Sequence, residues 1–543
     1  MTIDNAIART SGVTVSNGAT LDLAGHNQTL TGIDNSGTLL INDNGASVLS
    51  SPVMVNGDML LRQSGLVVIN NGNSNAGQTL KLNGDWKGEG GTLFLGAVLG
   101  GDNSKADQLH ISGHASGTTH VHVANLGGSG AQTLEGIKLI STGSSDNNAF
   151  VQKGRIVAGS YDYHLQQGTA SGQNTSNWYL TSYYSGLNYV MAASASPVAS
   201  AANTANTANT APAPGMHIWR PEAGSYTANL MAANTMFNNT FEDRHGSVVT
   251  DPVTGQRYET TLWARAVGGH NTSRMTDGQS KTQANRMVYQ MGGEMLTLSF
   301  AGDNGLHLGV MGAYGHQNSK TINHVTGYSS RGTVSGYAAG LYGTWFSDEN
   351  TRNGLYVDSS VQYGWFDNTV KGEGLAGEKY NSNGLMASLE TGYVDPAFSW
   401  KADNGTDNTL YLRPQAQVAW SGVKADNHTE RNGTVVKSAG TDNVQTRLGL
   451  RVSMTGQSSL DKGSARKFEP YAEVNWLWNS EQYGVTMGDA SNHLKGSRSV
   501  AELKAGVEGR ITDNLGLWGN VAQQVGGHSY SDTQGMVGVK YTF

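Results

Sequence analysis

The sequence predicts an all-β protein in two parts: a coil of short stacked strands, then a barrel of about twelve antiparallel strands that crosses a membrane. Three observations carry this. Charged residues make up only 14 % of the chain while Gly reaches 73 of 543 residues, a balance that suits strands and turns rather than helices. From Leu262 onward the text alternates apolar and polar residues in runs of roughly ten, the signature of strands with lipid on one side and a polar lumen on the other. No stretch approaches the ~18 consecutive apolar residues of a membrane-crossing helix, so any crossing must use another architecture.

Residues 1–185 form the first part. The opening "MTIDNAIARTSGVTV" lacks the basic and apolar regions of a signal peptide. From Ser11 to about Ser182, short runs such as Val13/Val15, Leu21/Leu23 and Leu39/Ile41 alternate with Asn-Gly, Ala-Gly and Ser-Gly turns. The period is irregular but close to ~20 residues, which fits a coil of parallel β-rungs. Each rung buries its apolar side only by stacking on a neighbour, so the coil needs a cap. The aromatic-rich stretch from Gly136 to Ser182 suits that role. An ordinary β-sandwich is the competing reading.

Residues 186–220 are Ala/Asn/Thr/Pro-rich, with an Asn-Thr-Ala triplet repeated from Asn203 to Ala211. They have little to bury and read as an extended linker. Over 221–246 a helix is expected, with Pro221 and Glu222 at its start and Arg244, His245 and Gly246 at its end. Tyr226, Leu230, Ala233, Phe237 and Phe241 fall on one narrow stripe. Asn229, Asn234, Asn238, Asn239 and Thr240 occupy the other faces. A thin apolar seam in an amide-rich surround fits the inside of a polar tube; packing on a sheet face is the alternative.

Residues 255–543 carry the barrel. Leu355, Val357, Val361, Tyr363 and Trp365 alternate with Tyr356, Asp358, Ser360 and Gln362. Leu410, Leu412, Val418 and Trp420 alternate with Arg413, Gln415 and Gln417. Leu448 and Leu450 oppose Arg447 and Arg451, and Leu503 and Val507 oppose Glu502, Lys504 and Glu508. Arg413, Arg447, Arg451, Glu473, Glu502 and Glu508 are therefore expected to face the lumen. Closure removes sheet edges, which lipid would not tolerate. Eight of the 11 Trp lie here, several near strand ends (Trp345, Trp400, Trp420, Trp478), as interfacial girdles require. Connectors alternate between short (301–305, 512–514) and long (318–332, 424–443, 486–498). The chain ends on "GMVGVKYTF", in which Val537, Val539, Tyr541 and Phe543 share one face, as a last barrel strand would.

Several chemistries are excluded. With no Cys, there are no disulfides, thiolate metal sites or Cys nucleophiles, nor a crosslink to stop the chain being threaded unfolded. A net charge of -7 without a Lys/Arg run gives no reason to expect nucleic acid. No Gly-x-Ser-x-Gly, Walker A or His-Glu-x-x-His motif occurs, so no catalytic residue or cofactor is assigned. His110, His114, His120 and His122 cluster, but no Cys or close carboxylate pair completes a metal site.

The chain resembles the classical (type Va) autotransporters, most of all their AIDA-type adhesin branch. "RPEAGSYTANLMAANTMFNNTFEDRHG" is similar to that branch's pore helix. "GYAAGLYGTWF", "QTRLGLR" and "FEPYAEVNWLWNS" are similar to its barrel strands, and "GMVGVKYTF" to its C-terminal assembly signal. "GGTLFLGAVLGGDNSKADQLHISGHASGTTHVHV", "GRIVAGSYDYHL" and "NWYLTS" resemble the pertactin-like passenger end that acts as an autochaperone. The resemblance implies a right-handed parallel β-helix, a pore helix and a twelve-stranded barrel. It implies export and surface anchoring of a passenger, with adherence, autoaggregation or biofilm as its work. Implied partners are the outer-membrane β-barrel assembly machinery, periplasmic chaperones, lipid or lipopolysaccharide, and host or bacterial surface ligands. A signal peptide and most of a passenger are missing relative to the family, as in the end of a longer protein or a truncated reading frame. An upstream enzymatic passenger and a plain porin-like channel are the alternative functions. Asn238-Asn239 also matches the dipeptide at which some autotransporters cut their own pore helix; an amide-rich helix surface is the simpler reading.

Overall fold

The computed structural model describes the chain except for residues 43–47, 71–74, 184–215, 245–260, 301–302, 402–406, 456–466, 513 and 543. The repeated Asn-Thr-Ala stretch and Phe543 therefore lie outside the described residues. The chain divides into two compact units. One is Met1–Arg220 with Thr429–Val435 and Met487–Ala490, and the other is the remainder from Pro221.

The first unit is a β-solenoid of parallel ladders. On one side Gly12–Val15, Gln28–Asn35, Val53–Leu61, Thr79–Asn83, Gln108–Asn125 and Ile137–Ser145 pair in succession, all parallel. On another side Leu39, Val67, Leu93 and Val121 lie in register, and all four are fully buried. Burying such a side chain contributes roughly 1.5–3 kcal/mol, but here only while the next rung covers it. The rungs are longer than the expected ~20 residues. Val13 pairs with Ile33, 20 residues on, but Val55 pairs with Leu82, 27 on, and Leu82 with Ile111, 29 on. Extra residues at the corners lie outside the stacked core, so they lengthen a rung without breaking its register.

The coil changes character toward its C-terminal end, where antiparallel pairs join the parallel ones. Ile137–Ser145 pairs antiparallel with Trp178–Thr181, which pairs in turn with Tyr161–Gln167. Trp86, Phe150 and Trp178 form an aromatic chain through this end, with ring centroids 6.3 and 5.6 Å apart. Polar residues fix its turns. Asp102 accepts the backbone N–H groups of Leu134, Glu135 and Gly136. The buried Asp107 accepts those of Gly77, Gln78 and Gly96, and burial raises its pKa. Arg155 grips Asp162 through two nitrogens at 2.6 and 2.8 Å.

The linker was expected to run to residue 220, but its last residues belong to this unit. Ile218 N–H donates to Ser182 O at 2.8 Å and Arg220 N–H to Ser160 O at 2.9 Å. Trp219 packs on Tyr161 at 4.9 Å, and Arg220 pairs with Glu430 at 2.8 Å. "HIWR" has the apolar and aromatic groups that the Ala/Asn/Thr stretch lacks, so it docks through isolated β-bridges to Tyr161 and Tyr183.

The second unit is a closed antiparallel barrel. Its twelve strands are Thr261–Met275, Ser280–Ser299, Gly305–Asn323, Ser329–Phe346, Gly354–Gly372, Gly377–Lys401, Asp407–Ser421, Asn443–Thr455, Lys467–Asn479, Ser499–Arg510, Leu515–Gly526 and Ser531–Thr542. The last pairs with the first in unbroken register from Thr261↔Thr542 to Thr272↔Ser531. Alternation sorts the two faces. Leu448, Leu450, Leu503 and Val507 are exposed, whereas Arg447, Arg451, Glu502 and Glu508 between them are buried. Trp365, Trp420, Trp476 and Trp478 are exposed, but Trp263 and Trp518 are buried. Gly538 explains the second case: a Cβ there would lie 2.2 Å from the Trp518 ring.

The long connectors differ from expectation. Over 318–332 the strands simply continue, leaving a turn of 324–328. Residues 424–443 hold the short strands Lys424–Ala425, His428–Thr429 and Val435–Ala439, and residues 486–498 hold Ala490–Lys495. Pairing persists here where both faces are polar, so alternation, the only sequence signal of a strand, fades before the strand ends.

The expected single helix is two: α1, Glu222–Thr235, and α2, Phe241–Arg244. Thr240 and Asp243 start the second by a reciprocal cap. Thr240 N–H donates to Asp243 Oδ2 at 2.9 Å and Asp243 N–H to Thr240 Oγ1 at 3.4 Å, the arrangement that opens a new helical turn.

The solenoid end yields a pH test. His164 is buried, and desolvation lowers its pKa from 6.5 to about 4. A depressed His pKa stabilises the fold fully above the unfolded value and loses that contribution as pH falls toward the folded one. From pH 7 to 5 the loss is about 2 kcal/mol. Hydrogen-exchange protection of residues 137–181 in the full chain, corrected for intrinsic rates, is expected to fall by about twentyfold, and His164→Gln to lessen the fall. A flat wild-type profile contradicts burial of a neutral imidazole.

Candidate functional site

The site is the barrel interior and the helices within it. α1 is buried from Glu222 to Asn234, so every face must find a partner. Its small residues let backbones approach: a Cβ on Gly224 would lie 2.7 Å from Thr321 Oγ1. Its amides meet wall backbone. Asn229 Nδ2 donates to the carbonyls of Thr333 and Thr369 at 3.2 Å, and Asn234 Nδ2 to that of Val423 at 3.1 Å. Ser421 Oγ donates to Asn234 Oδ1 at 2.7 Å.

The stripe residues do not share one strip of wall. Phe237 stacks on Phe366 at 5.5 Å, among Trp263, Val288, Met311 and Val334. Leu230 belongs to a second cluster with Leu477, Tyr483 and Leu494. Phe241 lies on Tyr356 at 4.6 Å, and Tyr226 OH lies 3.1 Å from His428 Nε2. The break after α1 turns the seam, and the wall supplies a separate aromatic or aliphatic patch for each anchor.

That break is where the wall grips hardest. The residues between α1 and α2 have carbonyls outside either helix, and three consecutive ones are met by wall side chains. Phe237 O accepts from Gln290 Nε2 at 2.9 Å and Gln362 Nε2 at 3.2 Å. Asn238 O accepts from Arg265 Nη2, and Asn239 O from Gln417 Nε2, both at 3.0 Å. Alternation shows these glutamines only as polar and inward; nothing in it shows that they bond the backbone of a segment lying far away in sequence.

Charge finishes the contact. Arg413 pairs with Glu242, which Arg451 Nη1 also reaches at 3.4 Å. Arg265 meets Asp243 at 3.2 Å, Arg244 pairs with Asp358, and Arg451 Nη2 lies 2.6 Å from Glu508. Arg447, Glu473 and Glu502 face the lumen, as expected, but bond the wall and not the helix amides. Arg447 pairs with Glu473, while Glu502 accepts from Asn475 at 2.8 Å and Gln524 at 2.7 Å. Those three serve the wall, and the charged hold on the helical segment falls to Glu242, Asp243 and Arg244. Breaking one such buried pair from one side costs about 3–5 kcal/mol, more than most single contacts.

Among the described residues no group of three or more His, Asp or Glu is placed to hold a metal. In the solenoid His110 pairs with Ser141, His114 Nδ1 lies 2.8 Å from Ser144 Oγ, and His122 stacks on Phe94 at 5.0 Å. Asn238 and Asn239 sit in the break between helices, where Asn239 Oδ1 accepts from Arg244.

α2 stands between two cavities. Asp243 lines one of 160 Å³ with Arg265, Arg447, Glu502 and Lys504. Phe241 and Glu242 line another of 340 Å³ with Tyr411, Lys467 and Arg510. Glu242→Gln with Asp243→Asn removes its hold on Arg265, Arg413 and Arg451 and is expected to join the cavities. The variant should keep a heat-modifiable barrel and show raised ion conductance in planar bilayers. Unchanged conductance contradicts this placement of α2.

Comparison with known proteins agrees with this geometry. The Autotransporter beta-domain family model matches residues 262–522, and the Autochaperone Domain Type 1 model matches 56–165. The chain is 42 % identical to YdeU of Escherichia coli (strain K12), an uncharacterized protein, over 86 % of this chain and 98 % of that one. It is 38 % identical to the autotransporter adhesin AIDA-I of Escherichia coli over 86 % of this chain, but spans only 34 % of that protein's length. The crystal structure of the AIDA-I transport unit superposes with a TM-score of 0.54 at 38 % identity, covering 60 % of this chain and all of the other. A closed twelve-stranded barrel that matches the autotransporter β-domain, following a solenoid that matches the autochaperone domain, places this chain in the AIDA-type branch of the classical autotransporter family, with its barrel in the outer membrane and its passenger at the cell surface.

Proposed function

We propose that the barrel exports and anchors the solenoid as the membrane-proximal part of a surface adhesin. The observation that carries this is the chain's own helix inside the closed barrel. A translocator that has passed its passenger must end with the connecting segment in its lumen, whereas a diffusion channel gains nothing from filling its own bore. Tyr226, Leu230, Phe237, Asn238, Asn239 and Phe241 would then belong to the segment, helix and break together, that fills the pore. Arg413, Arg447, Arg451, Glu473, Glu502 and Glu508 would form the lumen lining that receives or braces it.

Adhesion is supported by the relative AIDA-I, itself named an adhesin. An enzymatic role gains no support from the site geometry. The assembly machinery of the outer membrane is the partner such a barrel requires. We assign its recognition to the outward face of the last strand, where Val537, Val539 and Tyr541 are exposed and Phe543 follows in period.

Protease added to intact cells producing this chain should remove solenoid epitopes and leave a protected barrel. Deleting Phe543, or Val539→Asp, should lower the amount of barrel in the outer membrane several-fold. A solenoid shielded from external protease, or normal barrel levels in both variants, contradicts the reading.

A further inference from the structure

The outward face of the barrel carries, on one half of its circumference, a row of cations without protein partners. Adjacent strands place Lys320 opposite Arg331 and Arg331 opposite Lys371. Beside them Arg274 lies between Lys281 and Lys495, one on each neighbouring strand. Arg274, Lys281, Lys320, Arg331 and Lys371 are exposed and Lys495 is half-buried. Like charges directly opposite on one sheet face have Cβ atoms about 5 Å apart and destabilise the pairing.

No carboxylate among the described residues relieves this. Among the described residues none of the six forms an ion pair. Carboxylates on the same face are few: Asp367 stands opposite Asn381, and Glu373 accepts the N–H and hydroxyl of Ser329, both at 3.1 Å. The other half of the barrel manages its rim cations differently. Lys424 pairs with Asp442 at 2.7 Å, and Arg498 donates to Ser480 O at 2.7 Å.

The row also has a defined height. Tyr289, Tyr314, Tyr337 and Trp365 stand opposite one another on four successive strands and are all exposed, which marks a membrane–water interface. Lys320, Arg331 and Lys371 each lie six residues beyond their strand's aromatic, about 20 Å along a strand. With the tilt of such barrels that is about 15 Å above the aromatic row. This end is opposite to the one holding Thr261 and Thr542, and it faces outward if the translocator reading above holds, on which the inference rests.

We propose that this half-belt binds the phosphate groups of the outer leaflet's glycolipid, lipopolysaccharide. A polyphosphorylated headgroup supplies closely spaced anions in the sugar layer that rises above the hydrocarbon, matching a row of cations that repel one another without it. Arg331, central in its row, offers a fork that matches phosphate. Bound lipid then does more than solvate the barrel: it cancels the repulsion across strands 305–372 and favours one side of the barrel for ordered lipid.

The test uses the full chain, delipidated in detergent, with lipid A carrying its inner-core sugars and both phosphates as one probe and the same lipid after phosphatase treatment as the other. Native mass spectrometry should show tighter binding of the phosphorylated lipid, weakened by salt. Lys320→Gln/Arg331→Gln/Lys371→Gln should lower that affinity by about tenfold, while Lys424→Gln/Arg498→Gln leaves it unchanged. Equal binding of the two lipids by the wild type, or wild-type affinity in the triple variant, overturns the proposal. Each variant is also fractionated and tested for heat-modifiability. Loss of the wild type from the outer membrane would sink the translocator reading itself, whereas a correctly located barrel indifferent to phosphate sinks only the lipid site.

Discussion

Backbone N–H and C=O groups at membrane depth have no water to bond, and each left unmet costs several kcal/mol. The barrel answers this by the ladder between Thr261–Thr272 and Ser531–Thr542, which joins the first strand to the last and leaves no edge. Much else follows from that closure. The outward face can be apolar, as Leu503, Val521 and Val537 are, because it has no backbone to offer lipid. The inward face becomes a polar tube, and whatever fills it must be polar or patterned to suit.

The filling segment meets that requirement unusually closely. α1 is too polar to be a core helix and too buried to be a surface one, and it satisfies both conditions through amides aimed at wall carbonyls. The segment after it is gripped from the wall, by Gln290, Gln362, Gln417 and Arg265. The buried charges add position more than net stability, since desolvating ion pairs consumes most of what their attraction returns. Glu242 shared between Arg413 and Arg451 fits one placement of α2 and penalises displaced ones. A segment held in this way is a fixed stopper with a defined depth.

The strands were legible because lipid outside and polar groups inside impose a period of two, so Arg447/Leu448 or Glu502/Leu503 sort themselves in the text. Legibility failed where that contrast vanished. Strands run on past Asn318 and Thr333 with polar residues on both faces, and they read as loops. The α1–α2 break was hidden because Phe237 and Phe241 keep helical spacing across it, while the cap formed by Thr240 and Asp243 uses residues equally at home inside an amide-rich helix. Trp263 and Trp518 were hidden differently. They turn inward over small residues such as Gly292 and Gly538, a pairing across strands that no local window contains. The solenoid's repeat was visible from Val13 to Ile41, but its lengthening to 27 and 29 residues was not, because corner insertions carry no periodic mark.

The account stands on the helix lying inside a closed barrel in the assembled protein. The chain has no native Cys, so one introduced pair reports without background. Ser225 on α1 and Thr321 on the wall have hydroxyls 3.3 Å apart, both buried, a separation compatible with a disulfide after modest side-chain adjustment. Ser225→Cys/Thr321→Cys, purified from outer membranes under oxidising conditions, should form one intramolecular disulfide in the heat-modifiable species. Two thiols that stay free in that species, with the single variants folding normally, would place the helix elsewhere and contradict the account.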